Sequence, residues 1–428
     1  MKKIREGYKM TEFGEIPSEW EVCSIEQVIS FMKSGLSRNL KDDDVGIPCI
    51  RSNNIVNGRI NNKDLKYWFL EDDKGANIKD YILDDGDVLV NFINSMAQIG
   101  KTCIYRNIGR DVIYTTNIFR LKFNNKKIIT EYFYHFSQTE RYKKSIELIT
   151  KPAVNQASFT TGDFKSIKLA IPTIKEQEKI ASILSTVDEQ IDNVDGLIEK
   201  NKELKKGLMQ QLLTNGIGHT KFKETEIGDI PEEWGVDSGF IKIKSGFGFK
   251  LKEYVHNGVP LIRINNVMYG KITEEDLSYL PEEYIESYNE FILKKGDILL
   301  ALNRPITNNR LKIGVVTKEP SILYQRVGKL QFDTKRYLGA FFFQYMQSDK
   351  FINLLENSLV GSDQPYIKTS EFENLKFAVP SIEEQEKIAS ILSEVDEKIE
   401  VYEVRKRKLE ELKRGLMQQL LTGKIRVI

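Results

Sequence analysis

The sequence predicts an α+β protein. It has two similar globular α/β domains with twisted sheets, separated by two long antiparallel, coiled-coil-like helices in a pseudo-two-fold symmetric arrangement. Three observations support this prediction: an internal repeat along the whole chain, short apolar runs between Gly, Asn and Asp turns, and two long segments with heptad spacing. The predicted segments are a first globular domain at 1–173, a first helix at 174–214, a second globular domain at 215–381 and a second helix at 382–428.

Length and composition fit this architecture. A chain of 428 residues suffices for two or more domains of roughly 100–200 residues each. Hydrophobic residues make up 40% of the chain and there are only 11 prolines, which is typical of folded cores. Cys23, Cys49 and Cys103 lack paired spacing, which predicts free thiols in a reducing compartment. No apolar run reaches the roughly 18–20 residues that span a bilayer, so we expect a cytoplasmic protein without membrane contact.

The internal repeat is the strongest signal. Two strings recur at the same offset of 208 residues: EQEKIASILS at Glu176–Ser185 and Glu384–Ser393, and GLMQQLLT at Gly207–Thr214 and Gly415–Thr422. The globular parts repeat more loosely, with loops of different length. From their turn residues and apolar runs we expect strands near Asp87–Phe92 and Asp297–Leu302, and helices near Thr130–Ile149 and Tyr337–Leu355.

The two heptad segments predict long helices. Pro172 and Pro380 precede them, as is common at a helix start. A helix that simply faces a core would show the same stripe. However, about 40 residues, or roughly 60 Å, is far longer than the average helix of about 11–12 residues. We therefore expect the two copies to pack antiparallel, with the seam of Ile180–Ile198 against that of Ile388–Tyr402. The expected seam or partner-docking residues are Ile180, Leu184, Val187, Ile191, Leu208, Leu212, Ile388, Leu392, Val395, Ile399, Leu416 and Leu420.

The sequences at the ends of the predicted long helices resemble those of a known family, the specificity (S) subunits of Type I restriction–modification systems. The resemblance is carried by Pro172 followed by Glu176–Ala181, by the matching Pro380 followed by Glu384–Ala389, and by the two GLMQQLLT strings. The similarity extends over essentially the whole chain. It implies two target-recognition domains, each reading one half of a bipartite, asymmetric site in double-stranded DNA. It also implies that the helices set the gap between the half-sites and dock two modification (methyltransferase) subunits.

The same resemblance implies that the chemistry belongs to partner subunits. The complex would be an adenine-specific DNA methyltransferase and, with restriction subunits, an endonuclease. S-adenosylmethionine and Mg/ATP would bind to those partners, and this chain would hold no cofactor or metal. The residues agree with a non-catalytic subunit: Gly100-Lys101-Thr102 lacks the first glycine of a phosphate loop, and His135, His219 and His256 have no ligand spacing.

Candidate DNA contacts are Arg, Lys, Asn, Gln, Ser and Thr side chains in loops at comparable places of both halves, because these residue types read base edges and phosphates. An ordinary polar loop is the alternative for any one of them. Arg51 and Arg263 recur in both copies, which favours a scaffold role for this pair. The candidates are Ser34, Arg38, Arg51, Asn94, Gln98, Lys101, Thr116, Lys244, Lys250, Arg263, Asn303, Arg304, Asn308, Asn309, Arg310, Lys312, Gln325 and Arg326.

The globular segments have a smaller excess of basic over acidic residues than most proteins that bind DNA without partners. Residues 1–173 carry 26 basic against 22 acidic side chains, and residues 215–381 carry 21 against 22. Because phosphate neutralisation drives affinity, we expect weak DNA binding by this chain alone. Two alternatives stay open: a protein–protein adaptor with no DNA readout, and an enzyme with an unrecognised site.

Overall fold

The computed structural model describes residues 4–152 and 156–427. These residues form two compact units, one within Met1–Asp195 and Val404–Ile428 and the other at Gly196–Glu403. Each unit contains sheets, short helices and part of both long helices, so the predicted α+β class is confirmed. In the described parts of the chain, no helix is both long and apolar enough to cross a membrane.

The first unit is built on a four-stranded antiparallel sheet. Val88 and Val90 contribute to the core under the short helices, whereas Leu89 points to a second core on the other face. The strand is a continuous apolar run because both faces of the sheet are covered. The strands, in order across the sheet, are Thr102–Ile104, Val88–Asn91, Ile118–Phe123 and Ile29–Ser34.

Smaller elements complete the first unit. A three-stranded sheet has the order Ile113–Tyr114, Ile47–Ile50 and Lys66–Trp68. Another has the order Ile93–Asn94, Ala157–Ser158 and Lys151–Pro152. Strand pairs are Tyr8–Thr11 with Gly14–Pro17, Glu21–Ser24 with Lys168–Ile171, and Ile55–Val56 with Arg59–Ile60. The α-helices are Ile25–Val28, Thr130–Ser137, Glu140–Ile149 and Thr161–Ser166.

The second unit repeats this plan. Ile298 and Leu300 face the core under the helices, and Leu299 and Ala301 face the opposite core. Its main antiparallel sheet has the order Ile241–Ser245, Val327–Phe332, Ile298–Ala301 and Ile313–Val315. A second sheet has the order Ser278–Leu280, Val259–Ile262, Ser321–Leu323 and Ile292–Leu293. Strand pairs are Phe222–Lys223 with Ile230–Pro231, Gly235–Asp237 with Phe377–Val379, and Ile306–Thr307 with Arg310–Leu311. The short α-helices are Tyr284–Ser287, Gly339–Tyr345, Asp349–Glu356 and Thr369–Glu373.

The predicted helices near Thr130–Ile149 and Tyr337–Leu355 are each two helices. The Thr139 hydroxyl accepts a hydrogen bond from the Tyr142 amide at 3.2 Å, and the Ser348 hydroxyl accepts one from the Phe351 amide at 3.2 Å. Each hydroxyl caps a new helix start, which breaks a segment whose apolar pattern continues through it.

The two long helices are Ile174–Asn215 and Ile382–Leu420. In the first unit, Asp188 pairs with Lys413 at 2.6 Å, and Asp195 with Lys406 at 2.7 Å. Lower numbers on one helix meet higher numbers on the other, so these helix segments run antiparallel. In the second unit, Lys205 and Asp396 form an ion pair of 2.7 Å in the same register.

This register corrects the expected seam. The segment after Ile180 does not pack against the segment after Ile388. Instead, Ile180 and Leu184 share a core with Leu420, at the far end of the other helix. The second unit has the same arrangement, with Ile388 and Leu392 in one core with Leu212 and Leu213. An antiparallel pair brings the start of one helix to the end of the other, and heptad spacing alone does not specify that register.

A glutamate, buried in the first unit and half-buried in the second, joins each globular domain to the start of one long helix and the end of the other. In the first unit, Glu176 accepts a hydrogen bond from Trp20 Nε1 at 3.0 Å and an ion pair from Arg426 at 2.7 Å. The carboxylate in turn raises the pKa of Arg426. In the second unit, Glu384 accepts from Trp234 Nε1 at 2.9 Å, and His219 Nε2 lies 2.9 Å away.

The glutamine that follows each glutamate anchors the adjacent loop. Gln177 Oε1 accepts a hydrogen bond from the Ile129 amide, and Nε2 donates to the Lys127 carbonyl. Gln385 makes the equivalent bonds with Leu338 and Arg336. The repeated Glu-Gln pair is therefore a structural junction, because its buried polar groups are satisfied by chain segments that are distant in sequence.

Candidate nucleic-acid interface

One edge of the main sheet in the second unit collects polar loops. Strands Ile241–Ser245 and Ile298–Ala301 both run antiparallel to Val327–Phe332, so the ends of the first two strands lie beside the start of the third. Tyr366 joins this edge through a bridge to Asn303. We call residues 246–250, 303–304, 324–326 and Tyr366 the second loop edge.

Backbone hydrogen bonds give the second loop edge a defined shape. The Gln325 amide donates to the Phe247 carbonyl at 3.1 Å, and the Arg304 amide donates to the Pro365 carbonyl at 2.7 Å. Arg304 has a φ of 45°, which is uncommon for a residue other than glycine and is maintained here by its neighbours. Hydrogen bonds between the loop backbones therefore fix the positions from which these loops present their side chains.

Several side chains of the second loop edge are available for a ligand. Arg304, Gln325, Arg326 and Lys250 are exposed. Among the described residues, the guanidinium groups of Arg304 and Arg326 contact no carboxylate and make no side-chain hydrogen bond. Guanidinium and amide groups form the bidentate hydrogen bonds that distinguish guanine and adenine edges in the major groove.

The equivalent edge of the first unit has the same frame and different chemistry. We call residues 34–36, Asn94 and residues 115–117 the first loop edge. The Thr116 amide donates to the Leu36 carbonyl at 3.2 Å, and Ser34 ends its strand beside Phe119. Ser34, Asn94 and Thr116 are half-buried and uncharged. The two edges therefore share a backbone arrangement but differ in the charge and exposure of their side chains.

Arg38 is engaged within the first unit. Its guanidinium forms a bidentate ion pair with Asp72, with distances of 2.6 and 2.7 Å. Asp72 also accepts hydrogen bonds from Trp68 Nε1 and the Ala76 amide, and these donors, led by Arg38, hold its pKa well below the usual range. This arrangement holds the loop that follows Trp68, so the Arg38 guanidinium already has a carboxylate partner within its own unit.

Arg51 and Arg263 perform the same structural task in their two units. Each donates from a guanidinium nitrogen to a backbone carbonyl 13 residues later, at 2.8 Å in both cases. Asn54 and Asn266, three residues on, are buried and bond to the same loops. The geometry supports the scaffold role that recurrence in both copies favours.

The Asn308–Asn309 candidates lie at the tip of a hairpin. Both residues have positive φ, 52° and 54°, as a two-residue type I′ turn requires, and both are exposed. Arg310 follows them, and its guanidinium carbon lies 4.5 Å from the ring centroid of Tyr269. This cation–π contact directs Arg310 toward the long helices of its unit.

The other candidates are half-buried. Lys244 lies 3.5 Å from Glu290, and the amide of Lys312 donates to the Pro305 carbonyl. Lys101 lines a groove of about 430 Å³ in the first unit. Gln98 is half-buried in the loop before Lys101.

A larger groove of about 1110 Å³ in the second unit lies between the globular part and the long helices. Arg310 lines it, but Lys205 and Lys271 on its walls pair with Asp396 and Glu403. Its helix wall also carries the carboxylates Glu397 and Glu400. A wall with this many carboxylates disfavours the phosphate backbone, so the loop edge is the better candidate for a DNA-facing surface.

The predicted seam residues lie mainly in the cores of the two units. Burial explains their periodicity and leaves them little surface for a partner subunit. Those that are buried are Ile180, Leu184, Val187, Leu212, Ile388, Leu392, Val395 and Leu420, and those that are half-buried are Ile191, Leu208, Ile399 and Leu416.

Sequence reasoning missed the exposed apolar residues. Leu204 and Leu412 occupy equivalent positions on the two long helices and are 52% and 50% exposed. Their signal was the repeated Leu-Lys that precedes each GLMQQLLT string. Phe247 and Tyr366 on the second loop edge are each 41% exposed, but neither belongs to the polar residue types that predict DNA contacts.

The described residues contain no group of three or more His, Cys, Asp or Glu side chains placed to hold a metal ion. Burial raises the pKa of the Cys23 thiol to about 11 and that of the Cys49 thiol to about 12, so both disfavour the reactive thiolate form.

Comparisons with known proteins agree on one family. The family described as the Type I restriction modification DNA specificity domain matches twice, at residues 17–203 and 222–413. The MjaVIII specificity subunit of Methanocaldococcus jannaschii is 36% identical over 437 residues, covering 99% of this chain and 98% of that protein. The putative MjaX specificity subunit of the same organism is 31% identical over 431 residues, covering 99% and 97%.

A solved structure supports the fold. The crystal structure of the S subunit of the Type I restriction–modification system from M. genitalium has a TM-score of 0.62 at 15% identity, covering 98% of this chain and 97% of that chain. Together with the two family matches, which span most of the sequence, these relatives show that the chain belongs to the family of DNA specificity subunits of Type I restriction–modification systems.

Proposed function

We propose that this chain reads a bipartite, asymmetric site in double-stranded DNA and catalyses no reaction itself. Each globular domain would read one half-site through its loop edge. Two modification subunits would bring S-adenosylmethionine and methylate adenine, and restriction subunits with Mg/ATP would join them for cleavage. The long helices would set the gap between half-sites and dock the modification subunits.

One observation carries the proposal: the two loop edges share a backbone frame but differ in side chains. Ser34, Asn94 and Thr116 occupy the first loop edge, whereas Arg304 and Arg326 are exposed on the second. Two different polar surfaces on one repeated scaffold suit the reading of two different half-sites, because base edges are distinguished by the pattern of donors and acceptors.

An exchange of one domain tests this assignment. Residues 215–381 are replaced by the corresponding domain of a relative, and methylated adenines are mapped across the genome in cells with the matching modification subunit. The half-site read by the second domain should change and the other should stay the same. A change in both halves, or in neither, would contradict the assignment of one half-site to each domain.

The exposed leucines of the long helices support a docking role. Leu204 and Leu412 lie 208 positions apart in the repeat, so each unit presents one leucine in the same helix context. Two equivalent positions suit two copies of one partner. Leu204→Asp with Leu412→Asp should abolish assembly with the modification subunit in size-exclusion chromatography. Leu148→Asp, at an 87% exposed site on the short helix Glu140–Ile149, is the control.

An adaptor without DNA readout is the second candidate. An adaptor would use the same long helices and docking leucines, but the assembled complex would then show no preference for any DNA sequence. Binding of the complex to its mapped site and to a scrambled duplex distinguishes the two functions. Equal affinity for both duplexes would favour the adaptor.

A further inference from the structure

Phe247 is an exposed aromatic residue in a tightly fixed loop. Its amide donates to the Leu323 carbonyl at 3.1 Å, and its carbonyl accepts from the Gln325 amide at 3.1 Å. The preceding Gly246 allows this close approach, because a Cβ there would lie 2.2 Å from the Leu323 carbonyl oxygen. The backbone position of Phe247 is therefore set by the neighbouring strand.

The ring of Phe247 is supported from behind. Its centroid lies 5.0 Å from that of Phe249, 5.0 Å from that of Tyr288 and 5.8 Å from that of Phe291. The residue nevertheless stays 41% exposed. Three aromatic neighbours hold the ring in place, so its exposed part is an apolar surface of fixed position.

Polar and basic groups surround this apolar surface. Gln325 and Arg326 follow the strand that Phe247 contacts, and Lys250 lies three residues further along its own loop. The nearby Glu290 carboxylate lies 3.5 Å from the Lys244 ammonium group. The positive charge of Lys244 partly offsets the negative charge of Glu290. Amide and guanidinium groups read purine edges, and the only apolar group that a base displays in the major groove is the 5-methyl group of thymine.

The position equivalent to Phe247 in the first unit does not present such a surface. Leu36 forms the bridge to Thr115 that corresponds to the bridge of Phe247 with Tyr324, but Leu36 is only 4% exposed. The equivalent position is thus buried in one domain and presented in the other. A contact made by Phe247 would belong to one half-site only.

We propose that Phe247 contacts the 5-methyl group of a thymine in the half-site read by the second domain, beside a purine read by Gln325 or Arg326. This inference rests on the proposed function and adds the base type that this domain prefers. The contact buries a methyl group against the ring, so its contribution to affinity is expected to be about three- to fivefold.

The test uses the complex of the full chain with its modification subunits. Each thymine of the second half-site is replaced singly by uracil, which removes only the methyl group. For the wild-type complex, one replacement should weaken binding about three- to fivefold. Phe247→Ala should weaken binding to the thymine duplex by a similar factor and should bind the thymine and uracil duplexes equally at that position.

Two results would overturn the inference: the wild-type complex could be indifferent to every uracil replacement, or Phe247→Ala could keep the full sensitivity. The first result needs no variant, so the inference can be tested even if Phe247→Ala folds poorly. Failure of the proposed function is seen separately, as equal binding of the wild-type complex to its mapped site and to a scrambled duplex. Leu148→Ala, at an exposed apolar site of the first unit, should leave all these ratios unchanged.

Discussion

Lys413 of the second long helix and Asp188 of the first form an ion pair with an Nζ–Oδ1 distance of 2.6 Å. Its equivalent in the second unit is Lys205 with Asp396 at 2.7 Å, and both members of this pair also lie 208 residues from their counterparts. The repeated pair specifies the antiparallel register, because a shift of one residue would separate both charges from their partners.

Loss of the Lys413 ammonium should destabilise the first unit. Lys413→Met leaves the Asp188 carboxylate, which is mostly covered, without its main counter-charge. We expect a decrease of about 1–3 kcal/mol in the free energy of unfolding, measured by urea denaturation. Lys202→Met is the matched control, since its pair with Glu199 is exposed and should contribute below about 1 kcal/mol. Equal effects of the two substitutions would contradict a structural role for Lys413.

His135 should make the first unit sensitive to acid. Burial lowers its pKa to about 4, against a usual value of 6.5, and its Nε2 lies 3.2 Å from the Ser185 hydroxyl. The folded state therefore binds fewer protons than the unfolded state between these values. The contribution of neutral His135 to the free energy of unfolding is fully present above about pH 6.5. It is lost as the pH falls toward 4, which lowers the free energy of unfolding by about 2–3 kcal/mol.

The second unit supplies the matched substitution for His135. Gln344 occupies the equivalent position and donates to Asp396 at 2.8 Å. His135→Gln should flatten the dependence of unfolding free energy on pH between 6.5 and 4. Carboxylates titrate in both proteins, so the difference between the two curves is the measured quantity. Parallel curves would show that His135 does not cause the acid sensitivity.

Arg326 and Arg310 should differ in DNA readout. Arg326 is exposed on the second loop edge, whereas Arg310 packs on Tyr269. Arg326→Ala should cost about 1–3 kcal/mol at one base position and relax specificity there, as for loss of a guanine contact. Arg310→Ala should have the smaller effect on specificity. Binding of the assembled complex to single-base variants of the site measures both, and a uniform loss with Arg326→Ala would instead identify a phosphate contact.

The length of the long helices should determine the gap between half-sites. Four residues added to each helix lengthen it by roughly 6 Å, against about 3.4 Å per base pair. The ion-pair register places Glu199 opposite Tyr402, so insertions at these positions keep the pairs on both sides. The mapped gap should grow by one or two base pairs. An active complex with the original gap would show that the helices only tether the domains, and an insertion in one helix alone should reduce stability.

Much of this architecture could be predicted from the sequence. The exact recurrence of EQEKIASILS and GLMQQLLT predicts two copies of one scaffold. The heptad spacing predicts long helices at 174–214 and 382–428, where the structure has Ile174–Asn215 and Ile382–Leu420. These features are local or strictly periodic. A helix that buries one face has apolar residues at regular spacing, so the pattern can be recognised in the sequence itself. The recurrence of Arg51 and Arg263 in both copies also favours a scaffold role for this pair over base readout.

Only the tertiary structure decided which residues are free to meet a ligand. Arg38 and Arg326 are the same residue type in comparable polar loops, yet Arg38 is paired with Asp72, 34 residues away, and Arg326 has no side-chain partner among the described residues. The register that pairs Ile180 with Leu420 was likewise set by contacts across the fold. Hydrogen bonds and ion pairs between distant segments leave no periodic trace in a sequence, so the structure alone distinguishes a residue that supports the scaffold from one that remains available to a ligand.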